Sequence, residues 1–151
     1  MLRGGVVRTA SILSSTRIPN PGVEPFLEAR IDPSPAKVEA AVDAYLGRYR
    51  KDPSTIDIVS LVMLGKIDLA YEVLKNPIAF KALAAATGVF FRINMREFRN
   101  DPRFMPLAAR YGLVRYWMKT GKWPDFCLEA DLPYDCRQEA KKYANVRTIH
   151  D

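Results

Sequence analysis

The chain has 151 residues, 48% of them hydrophobic, which suits one compact domain burying roughly 70% of the surface its unfolded form exposes. Its longest apolar run, Ala84 to Phe91, is broken by Thr87 and Gly88 and falls far short of the ~20 residues a bilayer-spanning helix needs. The formal charge of +6 is concentrated: from Arg92 to Lys122 eight basic residues stand against two acidic ones, so one segment carries the whole excess.

The first acidic residue is Glu24, leaving MLRGGVVRTASILSSTR basic and serine-bearing, the composition of a loose terminus or of a transit peptide. No apolar core of a secretory signal is present there. Pro19, Pro21 and Pro25 interrupt the segment and no period is sustained, so residues 1–31 are expected to form an irregular arm and residues 32–151 the folded domain.

A first helix is expected after Ser34, with Pro35 in its opening turn and Val38, Val42, Tyr45, Leu46 and Tyr49 on one face. Asp52-Pro53 closes it and begins a second, apolar nearly all round through Ile58, Leu61 and Val62 and stopped by Gly65. Ile67, Ala70, Tyr71 and Leu74 give the return helix of an antiparallel hairpin, and Asn76-Pro77 opens the next. Val89 to Asn94 has strand-forming residues but no partner, and is expected to be an extended or bent connection. A short turn at Met95 to Arg99 precedes a helix from Pro102 to Tyr111, with Phe104, Leu107 and Ala108 inward. Gly112 separates it from a helix at Leu113 to Thr120, which Gly121 ends. A proline-punctuated loop and a final helix at Asp135 to Ala144 complete the reading.

Short helices in consecutive hairpins, each needing a neighbour to bury its stripe, predict an all-α fold of stacked hairpins. LGKIDLAYEVL resembles a tetratricopeptide junction, with Gly65 in the turn, Ile67 and Ala70 opening the second helix and Leu74 on its packing face. Pro77 arrives earlier than that repeat places its terminal proline, which makes the repeat divergent. FRNDPRFMPLAARYGLVRYWMKTGKWPDFC further resembles the closing segment after tetratricopeptide arrays in bacterial multidomain regulators. These include winged-helix transcriptional regulators and adenylate-cyclase-like proteins. The resemblance lies in Asp101 to Phe104, Gly112-Leu113, Tyr116-Trp117, Trp123 to Asp125 and Cys127. It implies an interaction or sensory module of a regulatory system; no winged helix, cyclase domain or membrane helix is recognisable in the sequence.

Chemistry-bearing patterns are sparse. Trp123-Pro124-Asp125 is reminiscent of a phosphatase acid loop, yet neither cysteine has the arginine that a phosphate-cradling Cys-x5-Arg requires: Pro133 and Lys142 stand there instead. Two cysteines and the lone His150 do not make a zinc site, and no phosphate loop or nucleophile set is present, so neither metal, cofactor nor enzymatic activity is expected. Cys127 and Cys136 are candidates for a disulfide, worth ~2.5 to 3 kcal/mol by loop entropy; the alternative is two reduced thiols, one buried as a small hydrophobe. A bridge would fit the bacterial periplasm, reduced thiols the cytoplasm.

The sequence therefore predicts a helical module that binds protein or peptide, with Arg92, Arg96, Arg99, Arg103 and Arg110 as its basic surface and Phe104, Trp117 and Trp123 as structural anchors. The alternative is a DNA-binding regulator using a helix-turn-helix at residues 102–120. Against it, the second helix spends Leu113, Val114, Tyr116 and Trp117 where a reading helix needs short polar residues. A homodimer whose first 31 residues cover a partner is a third arrangement.

Overall fold

The computed structural model describes residues 23–151, and its elements are helical throughout, with no strand among the described residues. They are α1 (Val23–Ile31), α2 (Pro35–Lys51), α3 (Ile58–Met63), α4 (Ile67–Val73), α5 (Pro77–Ala84), α6 (Arg96–Asn100), α7 (Phe104–Arg110), α8 (Leu113–Thr120) and α9 (Cys136–Lys142), joined by short 3-10 turns. Consecutive helices pack as pairs, α1 on α2, α3 on α4 and α7 on α8, while α9 lies against both α7 and α8. No described helix is long and apolar enough to cross a membrane.

Local chemistry sets many of the boundaries. Asn76 Oδ1 accepts from the Ile78 and Ala79 amides at 2.9 and 3.4 Å, and Pro77 occupies the first turn of α5. Asp135 caps α9 through the Gln138 amide at 2.8 Å. Gly65, at φ 73°, ends α3: its amide reaches Val62 O and that of Lys66 reaches Leu61 O, both at 2.9 Å.

Three expectations are corrected. Residues 1–22 of the arm lie outside the described residues, but Val23–Ile31 is helical rather than irregular. Pro25 falls in its first turn, where a missing N–H breaks no helical bond, and Ala29 is buried. Pro53–Thr55 is only a 3-10 turn held by Asp52, and α3 begins after Asp57, whose carboxylate caps the Ser60 amide at 3.1 Å. Val89 to Asn94, expected as an extended or bent connection, is wound into 3-10 turns at Thr87–Phe91 and Ile93–Met95, so the extended alternative falls. Tight winding lets Phe90 and Met95 both reach full burial from one short connection.

The core is aromatic. Phe90, Phe98 and Phe104 are fully buried, with Phe104 edge-on to Phe90 at 5.7 Å and to Phe126 at 5.6 Å. Trp117 is 4% exposed and meets the half-buried Trp123 at 6.1 Å, so Phe104 and Trp117 are core residues and Trp123 flanks them.

Tyrosine hydroxyls tie the layers together. Tyr49 donates to Val73 O at 2.8 Å, Tyr71 to Phe98 O at 2.8 Å, Tyr111 to Phe80 O at 2.9 Å and Tyr134 to Arg99 O at 2.6 Å. Val73 ends α4, and Phe98 and Arg99 lie in the last turn of α6, so the Tyr49, Tyr71 and Tyr134 hydroxyls reach carbonyls near helix ends that have few helical partners, whereas Tyr111 adds a second donor to a carbonyl inside α5. Burial pushes the Tyr71, Tyr111 and Tyr134 phenols well above their usual range, which keeps them protonated as donors.

Replacing Tyr71 by Phe removes its hydroxyl from a buried carbonyl while leaving the ring stacked on Phe98. The expected loss is about 1 to 2 kcal/mol in urea unfolding, against less than ~0.5 kcal/mol for Tyr116→Phe on the exposed face.

Candidate functional site

Arg103 precedes α7 and Arg110 ends it, seven positions apart and thus on the same side of the helix. Each guanidinium lies over an aromatic ring from an earlier helix: Arg103 Cζ is 4.4 Å from the Tyr71 ring centroid and Arg110 Cζ 4.2 Å from that of Phe80. Those rings are themselves stacked, Tyr71 on Phe98 at 4.2 Å and Phe80 on Tyr111 at 4.1 Å. Between the two arginines runs a groove of about 180 Å³ lined by Tyr71, Leu74, Pro106 and Leu107, with Lys75 at its edge.

The two cations differ in what they have left to offer. Arg103 grips Asp101 with Nε and Nη2, both at 2.7 Å, and Asp68 with Nη2 at 2.7 Å. Hydrogen bonds from Arg103 hold the Asp101 carboxyl below the usual carboxylate range, and those carboxylates push Arg103 further up. Arg110 has no carboxylate within ion-pair distance among the described residues. Its guanidinium therefore keeps charged N–H donors that no carboxylate among the described residues takes up.

Arg96 and Arg99, expected on the same basic surface, are engaged elsewhere. Arg99 is only 3% exposed: Nη1 donates to Phe90 O at 2.9 Å and Arg92 O at 2.8 Å, Nη2 meets Glu129 at 3.4 Å, and Cζ lies 5.3 Å from the Phe126 ring centroid. The cause is packing: α6 turns Arg99 inward beside Phe98, so its charge is met by helix-end carbonyls and one carboxylate. Arg96 pairs with Asp131 and, at 3.3 Å, with Glu129. Arg92 is exposed and has no ion pair among the described residues, but it does not line the groove.

The carboxylates that engage Arg96 and Arg99 come from the loop between the two cysteines. Cys127 and Cys136 are bridged, with Cα atoms 5.7 Å apart, and the enclosed loop supplies Glu129, Asp131 and Tyr134. Beside it opens a cleft of about 430 Å³ walled by Phe91, Ile93, Arg99, Asp125, Phe126 and Glu129.

The stretch expected as an alternative helix-turn-helix is closed by the following chain. Val114 and Trp117 are buried, Ile149 N donates to Arg110 O at 2.8 Å, and Arg115 forks onto Asp151 at 2.9 Å through each terminal nitrogen. A Cβ on Gly112, at φ 80°, would lie 3.5 Å from the His150 ring. Among the described residues no group of three or more His, Cys, Asp or Glu side chains is placed to hold a metal ion.

The ordinary carboxylate titrates near 3.9, and a lowered folded value means Asp101 stabilises the fold fully above that pH and less as pH falls through the lowered value. Wild-type protein should lose stability from about pH 4 downward, whereas Asp101→Asn, weaker at neutral pH, should show a shallower acid dependence. Urea midpoints at about pH 7, 4 and 2.5 provide the comparison.

Compared with protein-family models, curated proteins and solved structures, the chain matches none.

Proposed function

We propose that this chain is a non-catalytic, divergent tetratricopeptide-like module of a regulatory system that binds an acidic segment of a partner protein in the groove between α4 and α7. The observation that carries the reading is Arg110: a guanidinium laid on Phe80, free of internal carboxylates among the described residues, at the edge of an apolar groove. Stacking fixes the plane of the cation in advance, so little side-chain freedom is lost when a carboxylate arrives. Leu74, Pro106 and Leu107 supply the apolar contact that lets such a complex survive moderate salt.

Duplex DNA is the weaker partner. Positions that would read base edges are spent on the core in Val114 and Trp117, and Arg115 is occupied by Asp151. Pairing of adjacent helices and the glycine turn at Gly65 support the repeat-like architecture.

A labelled peptide of glutamates interspersed with leucines tests the groove by fluorescence anisotropy. Wild-type protein should bind it, and Arg110→Glu should weaken binding by about tenfold or more, the scale of one lost charge-assisted hydrogen bond. Lys119→Glu, with the same change in net charge but outside the groove, should leave affinity nearly unchanged. Equal affinity for wild type and Arg110→Glu, or tighter binding of a 20-base-pair duplex (roughly two helical turns), would overturn the proposal.

A further inference from the structure

We infer that the loop closed by Cys127 and Cys136 is an internal acidic pseudo-ligand, latched by the disulfide, and that reduction releases it to open a second anion-binding site on Arg96 and Arg99. This rests on the reading of the chain as a receptor for acidic segments and adds a control to it.

The assignment comes from where the carboxylates originate. Among the described residues, Arg99 finds its one carboxylate in Glu129 and Arg96 finds its two in Glu129 and Asp131, and both acids lie between the cysteines. The loop has one further polar tie to α6, the Tyr134 hydroxyl on Arg99 O at 2.6 Å. Arg99 holds an independent position: its Nη1 bonds to Phe90 O and Arg92 O do not involve the loop, so the cation stays in place when the loop leaves. Its Nε is buried with no hydrogen-bond partner, leaving a donor for an incoming acceptor. The adjoining cleft, lined by Arg99, Asp125 and Glu129, holds more negative than positive charge while Glu129 is in place and loses one of its two carboxylates when Glu129 departs.

The bridge is also reachable. Both cysteines line a surface pocket of about 180 Å³ with Trp123 and Arg137, and Cys127 is the less buried of the two residues. A dithiol reductant attacks there through its thiolate, forming a mixed disulfide and expelling Cys136 as a thiolate; its second thiol then displaces Cys127. The protein gains two electrons and two protons as two thiols, and the dithiol leaves as its own disulfide.

The test compares oxidised protein, protein reduced by dithiothreitol, and the bridge-free Cys127→Ser/Cys136→Ser chain. On reduction, amide exchange should rise about tenfold in residues 128–135 while α4 and α7 keep their protection. Fluorescein-labelled hexaglutamate should bind the reduced and bridge-free proteins about tenfold more tightly than the oxidised one, because the pseudo-ligand no longer competes. Oxidised Glu129→Gln/Asp131→Asn should reproduce that gain with the bridge intact, and Arg96→Ala should abolish it. Equal hexaglutamate affinity in both redox states, or exchange rising uniformly from α3 to α9, would refute the latch. If the α4–α7 groove reading alone fails, Arg110→Glu will not alter binding of the leucine-containing peptide, yet the redox-dependent gain will remain.

Discussion

Short helices are mostly ends, and this fold depends on how those ends are satisfied. In a helix of five residues such as α6, nearly every carbonyl lies within the last turn, where later amides are few; Phe98 O meets the Asp101 amide only at 3.4 Å. Tyr71 and Tyr134 bring hydroxyls from other elements to two of them, and Tyr49 does the same for the end of α4. Each such bond joins segments distant in sequence, so the same contacts that complete the backbone also fix the order in which helices stack. Asn76, Asp57 and Asp135 do the matching work at the amide ends.

A helix end can equally be satisfied by a cation, and Arg99 shows what that entails. Its guanidinium serves Phe90 O and Arg92 O, which draws a positive charge into the interior, where a neighbouring carboxylate offsets part of its desolvation. Glu129 supplies that carboxylate from a loop with little regular structure of its own, and the disulfide closes the loop. Much of the basic excess between Arg92 and Lys122 is thus consumed by acids outside that segment, in Asp68, Glu129, Asp131 and Asp151.

Features with a local cause were legible in the sequence. Gly65, Gly112 and Gly121 mark turns because each adopts a left-handed backbone, and Asn76-Pro77 and Asp135 mark helix starts through bonds a few residues long. The seven-residue spacing of Arg103 and Arg110 placed them on one face, and that survives in the groove. What the sequence hid is long-range: nothing near Arg99 announces that its counter-charge is Glu129, thirty positions on, and nothing near Phe80 announces that Arg110 will cover it. The helix at Val23–Ile31 was obscured by Pro25, which reads as a breaker unless it sits in a first turn. Val89 to Asn94 misled because strand propensity reports side-chain shape, whereas the demand there was to bury Phe90 and Met95 within a few residues.

Arg110 divides its attachments between backbone and side chain. Its carbonyl receives the Ile149 amide and its guanidinium covers Phe80, and the two contacts draw on different atoms. The seam that ties the last residues to α7 thus uses the backbone of position 110, while the groove is lined by its side chain. A substitution at this position that keeps the backbone in place therefore alters the charge at the edge of the groove while leaving the carbonyl that holds Ile149 available.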